Sequence, residues 1–71
     1  MKKVFRLQNL DCANCATKME RGIMKIKDVK SASVNFMSQR MTIEADDDKF
    51  AAVFEEAVKV CKKVEPDIVI K

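Results

Sequence analysis

The spacing of apolar residues along the chain switches between a period of two and a period near 3.6, and each switch marks a new element. Residues 3–9, KVFRLQN, alternate, with Phe5 and Leu7 on one side and Arg6 and Gln8 on the other, which predicts a strand. From residue 14 to 27 the period lengthens. Ala16, Met19, Ile23 and Ile26 recur three and four apart, while Lys18, Arg21 and Lys25 face away, predicting a helix that stops at Asp28. Alternation returns in 31–36, SASVNF, with Ala32, Val34 and Phe36 inward. It resumes in 40–45, RMTIEA, with Met41 and Ile43 inward. The MSQR connection makes these two runs a hairpin, although it lacks the favoured Asn-Gly turn. Asp46–Asp48 then read as the N-cap and first-turn acids of a second helix. Its stripe is Phe50, Val53, Phe54, Ala57, Val58 and Cys61. KKVEP ends it, with Pro66 past the last turn, and DIVIK forms a last short strand.

The predicted order βαββαβ is α+β and ferredoxin-like: a four-stranded antiparallel sheet with two helices on one face, formed by a single domain over residues 1–71. That topology puts the first strand-to-helix loop and the last helix-to-strand loop at the same end of the sheet. The first holds Cys12 and Cys15, and the second holds Lys62, Lys63 and Glu65.

Composition narrows the function classes. A chain of 71 residues supports one small core, and 48% apolar residues suffice to build it. No apolar run is long enough for a bilayer span or a signal sequence, which sets the reducing cytosol as the expected location. Three cysteines, an odd number, argue against a closed disulfide framework. The chain has no His, so a His-based catalytic dyad or triad is excluded, and a metal site must use thiolate and carboxylate. Its +3 charge is spread among interleaved acids and bases. No basic stripe marks a nucleic-acid surface, and all four Phe residues fall at core positions, leaving none to stack on bases.

The chemistry lies in NLDCANCATKME, residues 9–20. Cysteines at i and i+3 across a helix start can aim both sulfurs at one centre. The helix N-terminus offers free N–H groups and partial positive charge, which favour the metal-binding thiolate. A thioredoxin-like redox pair would need a longer chain, a different strand order and an aromatic or proline neighbour that DCANCA lacks. A purely structural pair of buried thiols fits poorly beside the polar Asp11 and Asn14. Metal binding is therefore the preferred reading, with a thiol oxidoreductase as an alternative.

NLDCANCATKME, followed by VKSASVNF, MTIEA and KKVEPDIVI, resembles heavy-metal-associated domains over nearly the whole chain. These are the cytosolic metal-binding domains of heavy-metal P-type ATPases and the related small metallochaperones and mercury-binding proteins. The resemblance is nearest to the N-terminal domains of bacterial cadmium/zinc/lead-exporting ATPases. It implies that Cys12 and Cys15 bind metal. Asn9 and Leu10 stand where the family usually has Gly-Met, and Leu10 takes the Met's packing place under the loop. Asp11, before the first Cys, resembles the zinc/cadmium/lead branch, where that carboxylate is a third ligand. A divalent ion gains more from a third anionic donor than Cu(I) does. The alternative use of Asp11 is helix capping.

Other soft or charged residues receive smaller roles. Cys61 falls on the core stripe and reads as a small buried hydrophobe. Lys62 and Lys63 could offset thiolate charge, as a lysine does in a comparable loop of copper chaperones, or answer the helix dipole. Met19 and Met41 read as core, Met24 and Met37 as peripheral. The expected function is capture of Zn(II), Cd(II) or Pb(II) and its delivery to, or regulation of, a heavy-metal P-type ATPase, of which the chain would be an N-terminal piece. The alternative is a free-standing Cu(I) metallochaperone. Expected partners are the metal ion, the transporter's membrane, actuator or nucleotide domains, and a metal donor protein. The chain is expected to be a monomer, without catalytic activity of its own, nucleic-acid binding or membrane insertion.

Overall fold

The elements run β1 (Lys2–Gln8), α1 (Ala13–Met24), β2 (Val29–Asn35), β3 (Arg40–Ala45), α2 (Phe50–Val64) and β4 (Val69–Ile70) in a computed structural model that describes all 71 residues. The strands form one sheet in the order β2-β3-β1-β4, with antiparallel neighbours throughout. Each helix connects strands that are not neighbours, so the sheet interleaves two βαβ units, as the ferredoxin-like expectation requires.

One face of the sheet is buried. Leu7, Met41, Ile43 and Ala45 point from the strands into a cluster completed by Ala16, Met19 and Ile23 of α1 and Phe50, Val53, Ala57 and Cys61 of α2. Met19, Ile23, Met41, Ile43 and Cys61 are fully buried. Each large apolar side chain buried in this way contributes about 1.5–3 kcal/mol. Met24 and Met37 are exposed, and Val58 is only half-buried at the edge of its stripe. Phe5 stacks on Phe54 at 4.8 Å and on Phe50 at 6.3 Å, which commits these rings to the core.

The structure shifts several boundaries, most of all the following. Helix α1 stops at Met24, before Lys27. Lys25 and Ile26 donate to Gly22 and Ile23, three residues back, which tightens the last turn, and Asp28 at φ 75° reverses the chain. Ile26 still packs on the core from this turn. Strand β2 begins at Val29, two residues early, because a bulge between Val29 and Ser31 shifts the register and hides the alternation there. The strand at the C-terminal end is confined to Val69 and Ile70, with Lys71 beyond it exchanging backbone hydrogen bonds with Arg6 at 3.1 and 2.8 Å, and it follows a turn in which Ile68 donates to Glu65.

The Asp46–Asp48 run does not cap α2. Lys49 is the N-cap residue, no side chain caps the helix, and the first turn holds no acid. Asp46 instead pairs with Lys30, the residue in the bulge, at 2.9 Å, and Asp47 with the N-terminal ammonium at 3.1 Å. The acids thus tie α2's entry to β2 and β1. Exposed pairs of this kind contribute little to stability.

Candidate metal centre

Three connections meet beside the start of α1: residues 9–12, the β2–β3 turn, and the α2–β4 turn. The chain leaves β1 through Asn9, whose φ of 68° lies in the left-handed region that glycine enters freely and asparagine tolerates. Its side-chain amide donates to the Asp67 carbonyl at 2.9 Å. Asn9 thus supplies the bend expected of a glycine and adds a strap to the α2–β4 turn. Leu10 is buried in the core.

Cys12 is the N-cap residue of α1, with extended backbone (φ −140°, ψ 126°), and its carbonyl accepts the Ala16 N–H at 3.1 Å. No side chain closes a cap hydrogen bond. Even so, the Cys15 N–H faces the Cys12 sulfur and, with the Cys15 thiol, holds the Cys12 pKa below the ordinary thiol value. Cys15 takes the opposite position. The neighbouring Cys12 sulfur and the Glu65 carboxylate, which accepts the Cys15 S–H at 3.3 Å, both favour the protonated thiol and, together with desolvation, push its pKa up to about 11. Of the two, then, Cys12 is the more acidic thiol and Cys15 the one that holds its proton longer. Both cysteines are half-buried and free of any disulfide.

Glu65 was not among the sequence candidates, although its loop was expected at this end. The available signal was Pro66. A residue before proline is driven out of the helical region. Glu65 accordingly adopts φ −133° and ψ 96°, closes α2 through its N–H to the Cys61 carbonyl, and brings its carboxylate to Cys15.

The other candidates lie apart from the sulfurs. Asp11 is exposed, caps nothing, and takes part in none of the side-chain hydrogen bonds or ion pairs, so its carboxylate is uncommitted. Lys62 reaches the Ile68 carbonyl at 3.5 Å, and Lys63 is exposed in the last turn of α2. Cys61 is fully buried, 3.9 Å from the Met41 sulfur, and burial raises its thiol pKa to about 11. No group of three or more Cys, Asp, Glu or His side chains is gathered closely enough to hold an ion unaided. What the structure gathers here is a thiol pair with one carboxylate, Glu65, hydrogen-bonded to Cys15.

Residues 4–65 match the heavy-metal-associated domain family. The chain belongs to that family. The domain is 32% identical over all 71 residues to the cadmium, zinc and cobalt-transporting ATPase of Bacillus subtilis, and spans 10% of that protein's length. Among solved structures it superposes on the CopZ metallochaperone with a TM-score of 0.77 at 18% identity, each chain covered fully. It also superposes on the N-terminal domain of a potential copper-translocating P-type ATPase from Bacillus subtilis in the Cu(I)-loaded state. That match has a TM-score of 0.72 and 26% identity, and covers 99% of this chain and 82% of the other. The family match and the similarity to a P-type ATPase make this a heavy-metal-associated, metal-binding domain, and it shares the fold of the CopZ metallochaperone. No helix is long and apolar enough to cross a membrane.

Proposed function

We propose that the domain captures a divalent Zn(II), Cd(II) or Pb(II) ion at Cys12 and Cys15, with carboxylate from Glu65 and Asp11 completing the donor set. The observation that carries this reading is the Glu65 carboxylate 3.3 Å from the Cys15 sulfur. A third anionic group at a thiolate pair favours a divalent ion, which seeks about four ligands, over Cu(I), which is content with two soft ones. Asp11, bound to nothing else, is free to swing in. The similarity to the Bacillus subtilis cadmium, zinc and cobalt transporter over the whole domain supports the same class of ion.

The proposed role is delivery of the ion to, or regulation of, a heavy-metal P-type ATPase on the cytosolic side of its membrane. The half-exposed cysteines suit transfer by ligand exchange, in which a partner's donor attacks before the first ligand leaves. Delivery of Cu(I) is the second reading. It is favoured by the likeness to the Cu(I)-loaded domain and by the presence of only two adjacent sulfurs.

Cd(II) titration of the reduced protein, followed by the thiolate-to-metal absorption band with Cu(I) competition in parallel, separates the readings. One Cd(II) per chain is expected, with Asp11→Ala and Glu65→Gln each weakening Cd(II) while sparing Cu(I). Cd(II) binding indifferent to both substitutions, beside tight and selective Cu(I) binding, would reverse the order.

A further inference from the structure

The hairpin turn between β2 and β3 does more than reverse the chain. Gln39, its last residue, has φ 55°. The left-handed region is disfavoured for a residue with a Cβ, and glutamine lacks the short side chain that lets asparagine enter it readily. Three hydrogen bonds account for the geometry. The Gln39 carbonyl accepts the Leu7 N–H at 2.8 Å. Its side-chain amide nitrogen donates to the Phe36 carbonyl at 3.0 Å, closing the turn, and to the Leu10 carbonyl at 2.8 Å. Both amide protons are thus used, one inside the turn and one across to the metal loop.

The Leu10 carbonyl belongs to the peptide that leads into Asp11. Leu10's side chain is held in the core, at 3% exposure, so this residue is gripped both through its side chain and through its carbonyl. Asn9 secures the same loop from the other flank through Asp67. The two residues with φ near 60° at this end, Asn9 and Gln39, are therefore both amides that strap the loop to a neighbouring turn.

We propose that Gln39 is a positioning residue for metal capture: by holding the Leu10 carbonyl it orients the Leu10–Asp11 peptide, and so sets how Asp11 and Cys12 meet the ion. This rests on the reading of the loop as a metal site. Groups that orient metal ligands from behind commonly change affinity by 10–100-fold when removed. A glutamate at position 39 would be isosteric but would set a carboxylate oxygen against two carbonyls. A glycine would lose the strap while relieving the left-handed backbone.

Gln39→Gly therefore separates positioning from stability. The test compares wild type, Gln39→Gly, Gln39→Glu and Cys12→Ser. Cd(II) release to a chelator is followed by the thiolate-to-metal band, thermal unfolding is measured without metal, and backbone NMR order parameters are measured for residues 10–12. Metal-free Gln39→Gly is expected to melt at or above wild type, yet to release Cd(II) roughly tenfold faster with a more mobile loop; Gln39→Glu should also release faster. Release by both variants within about twofold of wild type, with residues 10–12 as ordered as before, would overturn the proposal. Cd(II) binding that survives Cys12→Ser undiminished would instead defeat the metal-site reading, while the order parameters still decide whether Gln39 fixes the loop.

Discussion

At the scale of single residues, the two motif cysteines are unlike. Cys12 faces the Cys15 N–H and loses its proton more easily than an ordinary thiol, whereas Cys15 holds its proton to about 11 through Cys12 and Glu65. In metal-free protein near neutral pH, an alkylating agent should therefore modify Cys12 well before Cys15, which peptide mapping after partial reaction would read. Equal rates would contradict the asymmetry. Glu65→Gln should speed alkylation of Cys15, because it removes a carboxylate that favours the protonated thiol. With Cys15 as a proposed ligand, metal binding displaces its proton, so affinity should fall as pH falls. The cysteine pair was legible in the sequence from spacing and position alone. Glu65 was not, because its proximity arises from two elements that meet only after folding, 50 residues apart in the chain. Pro66 was the local clue to its backbone, but nothing local shows where the carboxylate ends.

At the scale of elements, periodicity located all four strands and both helices. It failed where the chain breaks period without changing element, as at the β2 bulge, or where an acidic run has work other than capping, as at Asp46 and Asp47. The helix pair contains a constraint that the sequence shows only as a lone glycine. A Cβ on Gly22 would stand 2.5 Å from Val60 Cγ1, so α1 and α2 approach through the glycine's missing side chain. Gly22→Ala should destabilise the fold by about 1–3 kcal/mol from overpacking, despite alanine's better helix propensity. Val60→Ala in the same chain should recover part of the loss, and urea denaturation of the single and double variants would measure both effects. Cys61→Ala should cost roughly 1 kcal/mol for a small cavity and leave metal stoichiometry unchanged. A weakened site in that variant would make Cys61 a functional thiol.

At the scale of the whole molecule, the core runs without interruption from the sheet through both helices, and no part of it needs an ion. A radius of gyration of 10.8 Å matches the ~11 Å typical of a compact chain of this length. The metal-free domain should therefore unfold in one cooperative transition; a broad, gradual melt without metal would show that the ion is structural. Its alkaline stability should follow two thiols. Cys15 and Cys61 have folded pKa values raised from 9.0 to about 11, so the native state holds more protons than the unfolded one in that interval. Stability from these groups is complete below 9.0 and lost as pH rises toward 11. Cys12, shifted the other way, acts below that window, where its contribution is lost as pH falls through its lowered folded value. Denaturation midpoints of metal-free protein across the alkaline range would test the sign.

The proposed site is a divalent centre made of two thiolates and carboxylate. X-ray absorption at the cadmium edge on the one-to-one complex tests it most directly. The expected result is a shell of two sulfurs from Cys12 and Cys15 with oxygen donors beside them, and fewer oxygens in Glu65→Gln or Asp11→Ala. A shell of sulfur alone, unaltered by either substitution, would contradict it.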